Sequence, residues 1–161
     1  MLIRVVAAAT AAIVTLLGVA ATAQATTAQA TTAQVKAKSS PIVGYRGKCL
    51  DDSSASTANG NKVDIWHCNG TDAQQWTFSD HQLSVRGKCL DDSTQGGADT
   101  PLVIWSCNGN KAQTWSRFKN GEYVLALNHL CLTDPSDSTT NGTQVKIHVC
   151  KDNLDQQWSR P

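Results

Sequence analysis

The residues of this chain that could do chemistry are few, and they recur as a set. RGKCLDDS stands at 46–53 and again at 86–93, so Asp51 and Asp91 each follow a cysteine by two positions. Asp51 and Asp52 are neighbours, as are Asp91 and Asp92, and adjacent carboxylates cannot stand on either side of a glycosidic bond as hydrolysis requires. Glu122 is the single glutamate. His67, His81, His129 and His148 sit at unrelated places, with neither an HExxH pair nor a nucleophile elbow around them. The six cysteines contain no CxxC pair, and their closest spacing is 18 residues, which disfavours a zinc site. Catalysis and metal binding are therefore not expected. What remains is acceptor chemistry: an ionised carboxylate makes strong hydrogen bonds to hydroxyl groups.

The octapeptide belongs to a longer repeat. Copy one spans about 42–78, copy two about 79–117 and copy three about 118–161, the last opening on the blurred LNHLCLTDP at 127–135. The spacing from the first to the second cysteine is 19, 18 and 19 residues, and from the second cysteine to the last Trp it is 8 in every copy. Fifteen pairings of six cysteines are possible. The repetition favours Cys49–Cys68, Cys89–Cys107 and Cys131–Cys150, one disulfide per copy, each worth roughly 3 kcal/mol in the chain-entropy view.

Short segments separated by Gly, Asn, Ser and Thr, with no sustained 3.6-residue period, predict an all-β fold. One strand per copy alternates. Val63 with Ile65, Leu102 with Ile104, and Val145 with Ile147 should face a core. The opposite face carries Asp64 and Trp66, Val103 and Trp105, and Lys146 and His148. A tryptophan on the polar face is the feature that asks for an explanation. Three units too small to bury their own apolar surface must close on one another, and a three-fold β-barrel leaves no open edge.

The ends bear on location. MLIR followed by about 16 uncharged residues, with small-residue sites at Ala21-Thr22-Ala23 and Ala23-Gln24-Ala25, predicts a signal peptide over 1–25, cleaved near residue 23 or 25. The run is shorter than the roughly 20 apolar residues a membrane span needs, so no membrane insertion is expected. ATTAQ, written twice at 25–34, opens a low-complexity leader, 26–40, that cannot bury enough surface to order itself. The domain is expected over 41–161. An even cysteine count behind an export signal fits an oxidising, extracellular compartment. The net charge of +1, with no basic block, gives no reason to expect a nucleic-acid partner.

C-L-D, a later aliphatic-x-aliphatic-Trp-x-Cys, and the Gln-x-Trp motifs Gln74-Gln75-Trp76, Gln113-Thr114-Trp115 and Gln156-Gln157-Trp158 resemble the ricin-type β-trefoil lectin domain, also called carbohydrate-binding module family 13. The resemblance covers essentially all of 42–161. It implies a β-trefoil of roughly twelve strands, no cofactor, no metal and no catalysis. It implies binding of galactose- or xylose-type sugars in up to three shallow sites, one per copy.

By that resemblance Asp51, Asp64, Trp66 and Gln74 form the site of copy one, although Ala73 stands where the family has Asn, a loss that Asn69 could offset. Asp91, Trp105 and Gln113 form that of copy two, with Val103 at the polar position and Ala112 again for Asn. Copy three departs most. Thr133 replaces the Asp, Asp134 follows it, His148 replaces the Trp, Lys146 takes the polar position, and Asp155-Gln156 stands for Asn-Gln. Trp76, Trp115 and Trp158 are expected in the core. Asp52 and Asp92 are expected as solvated turn residues. Gly60, Gly96, Gly97 and Gly142 predict tight turns in the loops, and the Asn-Gly steps of the Asn69 and Asn141 sequons are read as turns rather than modification sites.

The expected partner is a polysaccharide or surface glycan, bound by a monomer. Such domains are often appended to enzymes, which leaves a separate secreted enzyme open as a partner. The rival reading is a β-trefoil that binds protein, such as a protease inhibitor. That would use one protruding loop and not repeated polar faces.

Overall fold

A computed structural model describes residues 37–160. The expected signal peptide and most of the leader lie outside the described residues. Copy one contributes strands β1 (Val43–Gly44), β2 (Lys48–Asp52), β3 (Asn61–His67) and β4 (Thr77–Ser79). Copy two contributes β5 (Gln82–Val85), β6 (Lys88–Asp91), β7 (Val103–Ser106) and β8 (Trp115–Arg117). Copy three contributes β9 (Tyr123–Leu125), β10 (Cys131–Thr133), β11 (Thr143–Gln144), β12 (Lys146–His148) and β13 (Trp158–Ser159). Thirteen segments appear because the third strand of copy three breaks at Val145: β11 pairs with β3, while β12 pairs with β10. Among the described residues no helix is long and apolar enough to cross a membrane.

The architecture is a β-trefoil, and backbone hydrogen bonds close it three times over. Val63 N donates to Leu102 O (3.2 Å), Leu102 N to Val145 O (3.0 Å) and Val145 N to Val63 O (3.0 Å), a cycle through equivalent residues of the three copies. A second cycle lies further out, with Gly60 N donating to Ile104 O, Asp99 N to Ile147 O and Gly142 N to Ile65 O. The first and last strands of the domain meet in the register Val43↔Ser159 of β1 and β13. Residues 37–40 belong partly to the fold: Ser40 and Trp76 exchange two backbone hydrogen bonds, so order begins upstream of residue 41.

The aliphatic residues predicted to face inward do so. Val63, Ile65, Leu102, Ile104, Val145 and Ile147 are fully buried, as are Trp76 and Trp115, with Trp158 nearly so. Each tryptophan also satisfies a carbonyl that the strands leave over. The Nε1–H of Trp76 donates to Leu50 O (2.9 Å), that of Trp115 to Leu90 O (3.2 Å) and that of Trp158 to Leu132 O (3.0 Å). The disulfides are Cys49–Cys68, Cys89–Cys107 and Cys131–Cys150. Each disulfide closes the open end of its strand pair, and the β2–β3 and β6–β7 registers place Cys49 opposite Trp66 and Cys89 opposite Trp105.

The lysine of each octapeptide holds a neighbouring loop. Asn141 Oδ1 accepts from Lys48 Nζ (2.8 Å) and His67 N (2.9 Å); Asn59 Oδ1 accepts from Lys88 Nζ (2.9 Å) and Ser106 N (2.9 Å). The glycine after each asparagine, Gly60 and Gly142, sits at φ 83°, the left-handed region that glycine enters without steric cost. Of the four glycines read as turn markers, Gly96 and Gly97 lack that conformation.

Asp52 and Asp92 correct the expectation of solvated turns. Both are fully buried, because their side of the strand is the one that Leu50 and Leu90 occupy. Asp52 Oδ1 accepts from Asn61 Nδ2 (2.6 Å), and Asp92 Oδ1 accepts from Gly96 N (3.2 Å) and Thr94 Oγ1 (3.3 Å). Asp52 thus joins the two ends of its loop, and Asp92 ties the start of its loop to the strand.

Candidate functional site

Side chains facing each other across an antiparallel pair point to the same side. Asp51 pairs with Asp64 and Cys49 with Trp66, so all four share one face of β2–β3, away from Leu50 and Ile65. Two of them line a concavity. A pocket of about 290 Å³ is walled by Asp51 and Trp66, by Asn69 and Ala73, and by the turn at Ser53–Ala55. Trp66 is 37% exposed, high for so large an apolar ring. Gly142 of copy three backs it: a Cβ there would lie 3.6 Å from Trp66 Cζ3.

The Asp51 carboxylate is held in place. Its Oδ2 accepts from Gln74 Nε2 (2.7 Å), and Gln74 also donates to His67 O (3.0 Å) and accepts from Asn69 N (2.9 Å). Gln74 is fully buried behind Asp51 and does not reach the pocket. It is a positioning residue where the sequence put a sugar contact. The same holds for Gln113, which bonds Ser106 O and Asn108 N, and for Gln156, which bonds Val149 O, Lys151 N and Thr133 Oγ1. Each Gln ends a single 3-10 turn, Asp72–Gln74, Lys111–Gln113 or Leu154–Gln156, which delivers its amide inward.

Asp64 is likewise withdrawn from the pocket. Its Oδ2 pairs with Lys62 Nζ at 3.2 Å, and Lys62 also donates to Gly142 O (3.2 Å). Asp64 therefore secures the turn that backs Trp66. Burial raises the Asp51 carboxyl above the ordinary range; Gln74 opposes that rise and Asp64 adds to it.

Copy two repeats the arrangement. A pocket of about 200 Å³ is lined by Asp91, Trp105, Asn108, Asn110 and Ala112. Trp105 is exposed, and Gly60 of copy one backs it, with a Cβ there 3.7 Å from its Cζ3. Burial again raises the Asp91 carboxyl, with Gln113 opposing. Asn108 and Asn110 were not singled out from the sequence, although Cys-Asn-Gly at 68–70 and 107–109 marks the position.

Copy three does not assemble the same constellation. Thr133 stands at the register of Asp51, is buried, and spends its hydroxyl on Cys131 O (2.9 Å) and Gln156. His148, at the register of Trp66, lies 3.9 Å from Asp99, which also pairs with Lys146. Asp134 follows Thr133 as Asp52 follows Asp51, and it is buried. The nearby cavity is lined by Asp137, Asp152, Asn153, Leu154 and Asp155, and among its lining residues there is no aromatic ring. Of Asp134, His148, Asp155 and Gln156, expected as the binding residues of this copy, only Asp155 reaches it.

Burial pushes the Asp134 carboxyl up to about 7, with Asp137 and Asp155 adding repulsion against a hydrogen bond from Ser138. The folded state thus favours the protonated form. That contribution to stability is complete below the unfolded carboxylate value and is lost as pH rises through about 7. Asp134→Asn should stabilise the domain at pH 8 by on the order of 2 kcal/mol and change little at pH 4. Thermal melts of both proteins across that range test it; equal melting temperatures at pH 8 would refute it.

Comparison with known families places the chain. The model of the ricin-type beta-trefoil lectin domain matches residues 38–158, and the chain belongs to that family, whose domain is a carbohydrate-binding module and not a catalytic one. Among solved structures it is similar to the agglutinin from Abrus precatorius, at 25% identity and a TM-score of 0.70, over 77% of this chain and 48% of that one. It is similar to a non-toxic homologue of type II RIPs from Momordica charantia, in complex with alpha-methyl-D-galactoside, at 27% identity and a TM-score of 0.70, over 76% and 47%. It is also similar to the designed three-fold symmetric protein ThreeFoil, at 27% identity and a TM-score of 0.70, over 76% and 96%. The chain thus spans about half the length of the two plant proteins. A comparison with curated proteins returned no match.

Proposed function

We propose that this protein is exported and binds a polysaccharide or surface glycan through two working sites, the pockets of copies one and two. The observation that carries this reading is the pairing of a carboxylate with an exposed tryptophan in each of those pockets, and the lack of that pairing among the residues of copy three. A carboxylate can accept from two neighbouring hydroxyls, while the indole covers the C–H face of a pyranose. Galactose-type sugars head the candidates, supported by the galactoside complex of the Momordica relative; xylose-type sugars come second. Export is supported by the apolar N-terminal run and by three disulfides, which persist in oxidising compartments.

Retention on immobilised galactosides and insoluble xylan, with competition by free sugar, tests the reading. Trp66→Ala and Trp105→Ala should each weaken retention about tenfold, and His148→Ala should leave it unchanged. Retention equal to wild type in both tryptophan variants would sink the proposal.

A further inference from the structure

One concavity of the described domain is not generated by the repeat. A cleft of about 530 Å³ lies between the β1–β2 turn and the β8–β9 hairpin. This is within the roughly 300–1,000 Å³ of small-molecule sites, and it exceeds both repeat pockets. Three departures from the pseudo-symmetry open it.

The first is a missing side chain. Val43 pairs with Cys49, Ser84 with Cys89 and Val124 with Cys131, so the next residues, Gly44, Val85 and Leu125, are equivalent. Val85 and Leu125 are buried in the core. At Gly44 the Trp158 ring takes that space instead and lines the cleft: a Cβ there would come within 3.2 Å of it. The second is the turn length, which differs in every copy: six positions separate Val43 from Cys49, five Ser84 from Cys89 and seven Val124 from Cys131, and the turn of copy one carries Tyr45 at 55% exposure. The third is a longer hairpin. Ser79 and Gln82 are joined by two residues, whereas Arg117 and Tyr123 are joined by the five of 118–122.

The chemistry of the walls follows from these departures. Arg117 and Lys119 stand on the hairpin side, and among the described residues neither makes an ion pair. Arg117 is oriented by Tyr123, whose ring centre lies 5.7 Å from its Cζ. Gln157 adds an amide that donates and accepts, Asn120 adds one already held by Asp152 and Glu122 N, Tyr45 adds an exposed ring, and no carboxylate lines the cleft. A guanidinium pairs with a carboxylate in two parallel hydrogen bonds. An aromatic ring suits the C–H face of a flat pyranose, and amides suit its hydroxyls.

We propose that this cleft is a second kind of site, taking a saccharide unit that carries a carboxylate, a uronate. It is separate from the Asp–Trp pockets and would stand even if their ligand were not a neutral sugar.

Amide chemical-shift titration of the oxidised protein tests it, with sodium glucuronate, sodium acetate and methyl galactoside as probes. Glucuronate should move the Gly44, Lys119 and Gly121 amides saturably, at least about fivefold more tightly than acetate. The double variant Arg117→Gln/Lys119→Gln should lose about tenfold in glucuronate affinity. Tyr45→Ser, which removes no charge, should lose severalfold. Unmoved resonances of the repeat pockets report that the variants are folded. Equal affinity for acetate and glucuronate would reduce the cleft to a patch of positive charge. Shifts confined to the surroundings of Trp66 and Trp105, or none at about 50 mM glucuronate, would overturn the site as well. The methyl galactoside arm reads the repeat pockets alone, so failure of either proposal is seen separately.

Discussion

Asp51→Asn combined with Asp91→Asn should abolish retention on a glycan matrix, while either change alone should weaken it about 100-fold. A single shallow site that binds near millimolar contributes roughly 4 kcal/mol. Two such sites on one rigid domain engage a polymer together, and the second binds at an effective concentration set by their separation, a gain of about 100-fold or more without new contacts. Removing one carboxylate returns the protein to single-site binding. Removing both leaves tryptophans without a directional acceptor.

Asparagine is chosen because it keeps the size of aspartate and an oxygen that can accept, as Asp51 does from Gln74, so the fold is spared. The change removes the negative charge, which makes hydrogen bonds to ionised acceptors about twice as strong as neutral ones. Frontal affinity on matrices of low and high glycan density checks the result. If the double variant were retained like either single variant, only one site would be at work.

Acid should mimic the substitution. Burial raises both carboxyls above the ordinary carboxylate value. Binding that needs them ionised is therefore complete well above that raised range and falls as pH drops through it, at a higher pH than an exposed aspartate would give. The double variant should have lost that pH dependence along with its binding.

Much of the architecture was legible from spacing. Repeated cysteine intervals favoured the pairing that forms, because two residues at the same place in each copy meet their counterparts in the same way. The alternation Val63-x-Ile65 and its equivalents fixed the core face, because successive strand residues point to opposite sides. The roles of Gln74 and Asp52 were not legible. Which polar side chain lines a pocket and which braces it from behind depends on the fold of the long loops, and hydrogen-bond partners such as Asn69 N and Asn61 Nδ2 come from separate turns. The backing of Trp66 by Gly142 was hidden for the same reason: the contact joins copy three to copy one across the closure of the barrel. The cleft beside Gly44 was hidden differently. It arises where the repeat fails, and a reading guided by repetition passes over a missing side chain.

Two tryptophan substitutions should therefore separate completely. Trp115→Ala should lower the melting temperature by about 10–20 °C with the disulfides intact, because emptying a buried tryptophan site costs about 3–5 kcal/mol. Trp115 is fully buried, and its loss also strips the Leu90 carbonyl of its donor. Trp115→Phe should cost about half as much, since it keeps most of the volume and loses the hydrogen bond. Trp105→Ala, only ten residues away, should leave the melting temperature nearly unchanged, since its ring is 38% exposed and sits over a glycine. Retention should order the same proteins in reverse, weakened by Trp105→Ala and preserved in folded Trp115→Phe. A domain of this size holds roughly 5–15 kcal/mol in total, and each disulfide supplies roughly 3 kcal/mol of it. Reduction should consequently tip Trp115→Ala into the unfolded state under conditions in which the reduced wild type keeps part of its structure. Circular dichroism melts run beside glycan retention decide the matter. A large loss of stability in Trp105→Ala would mean that the exposed ring is part of the core after all, and its pocket would lose the argument that an exposed tryptophan is there to meet a ligand.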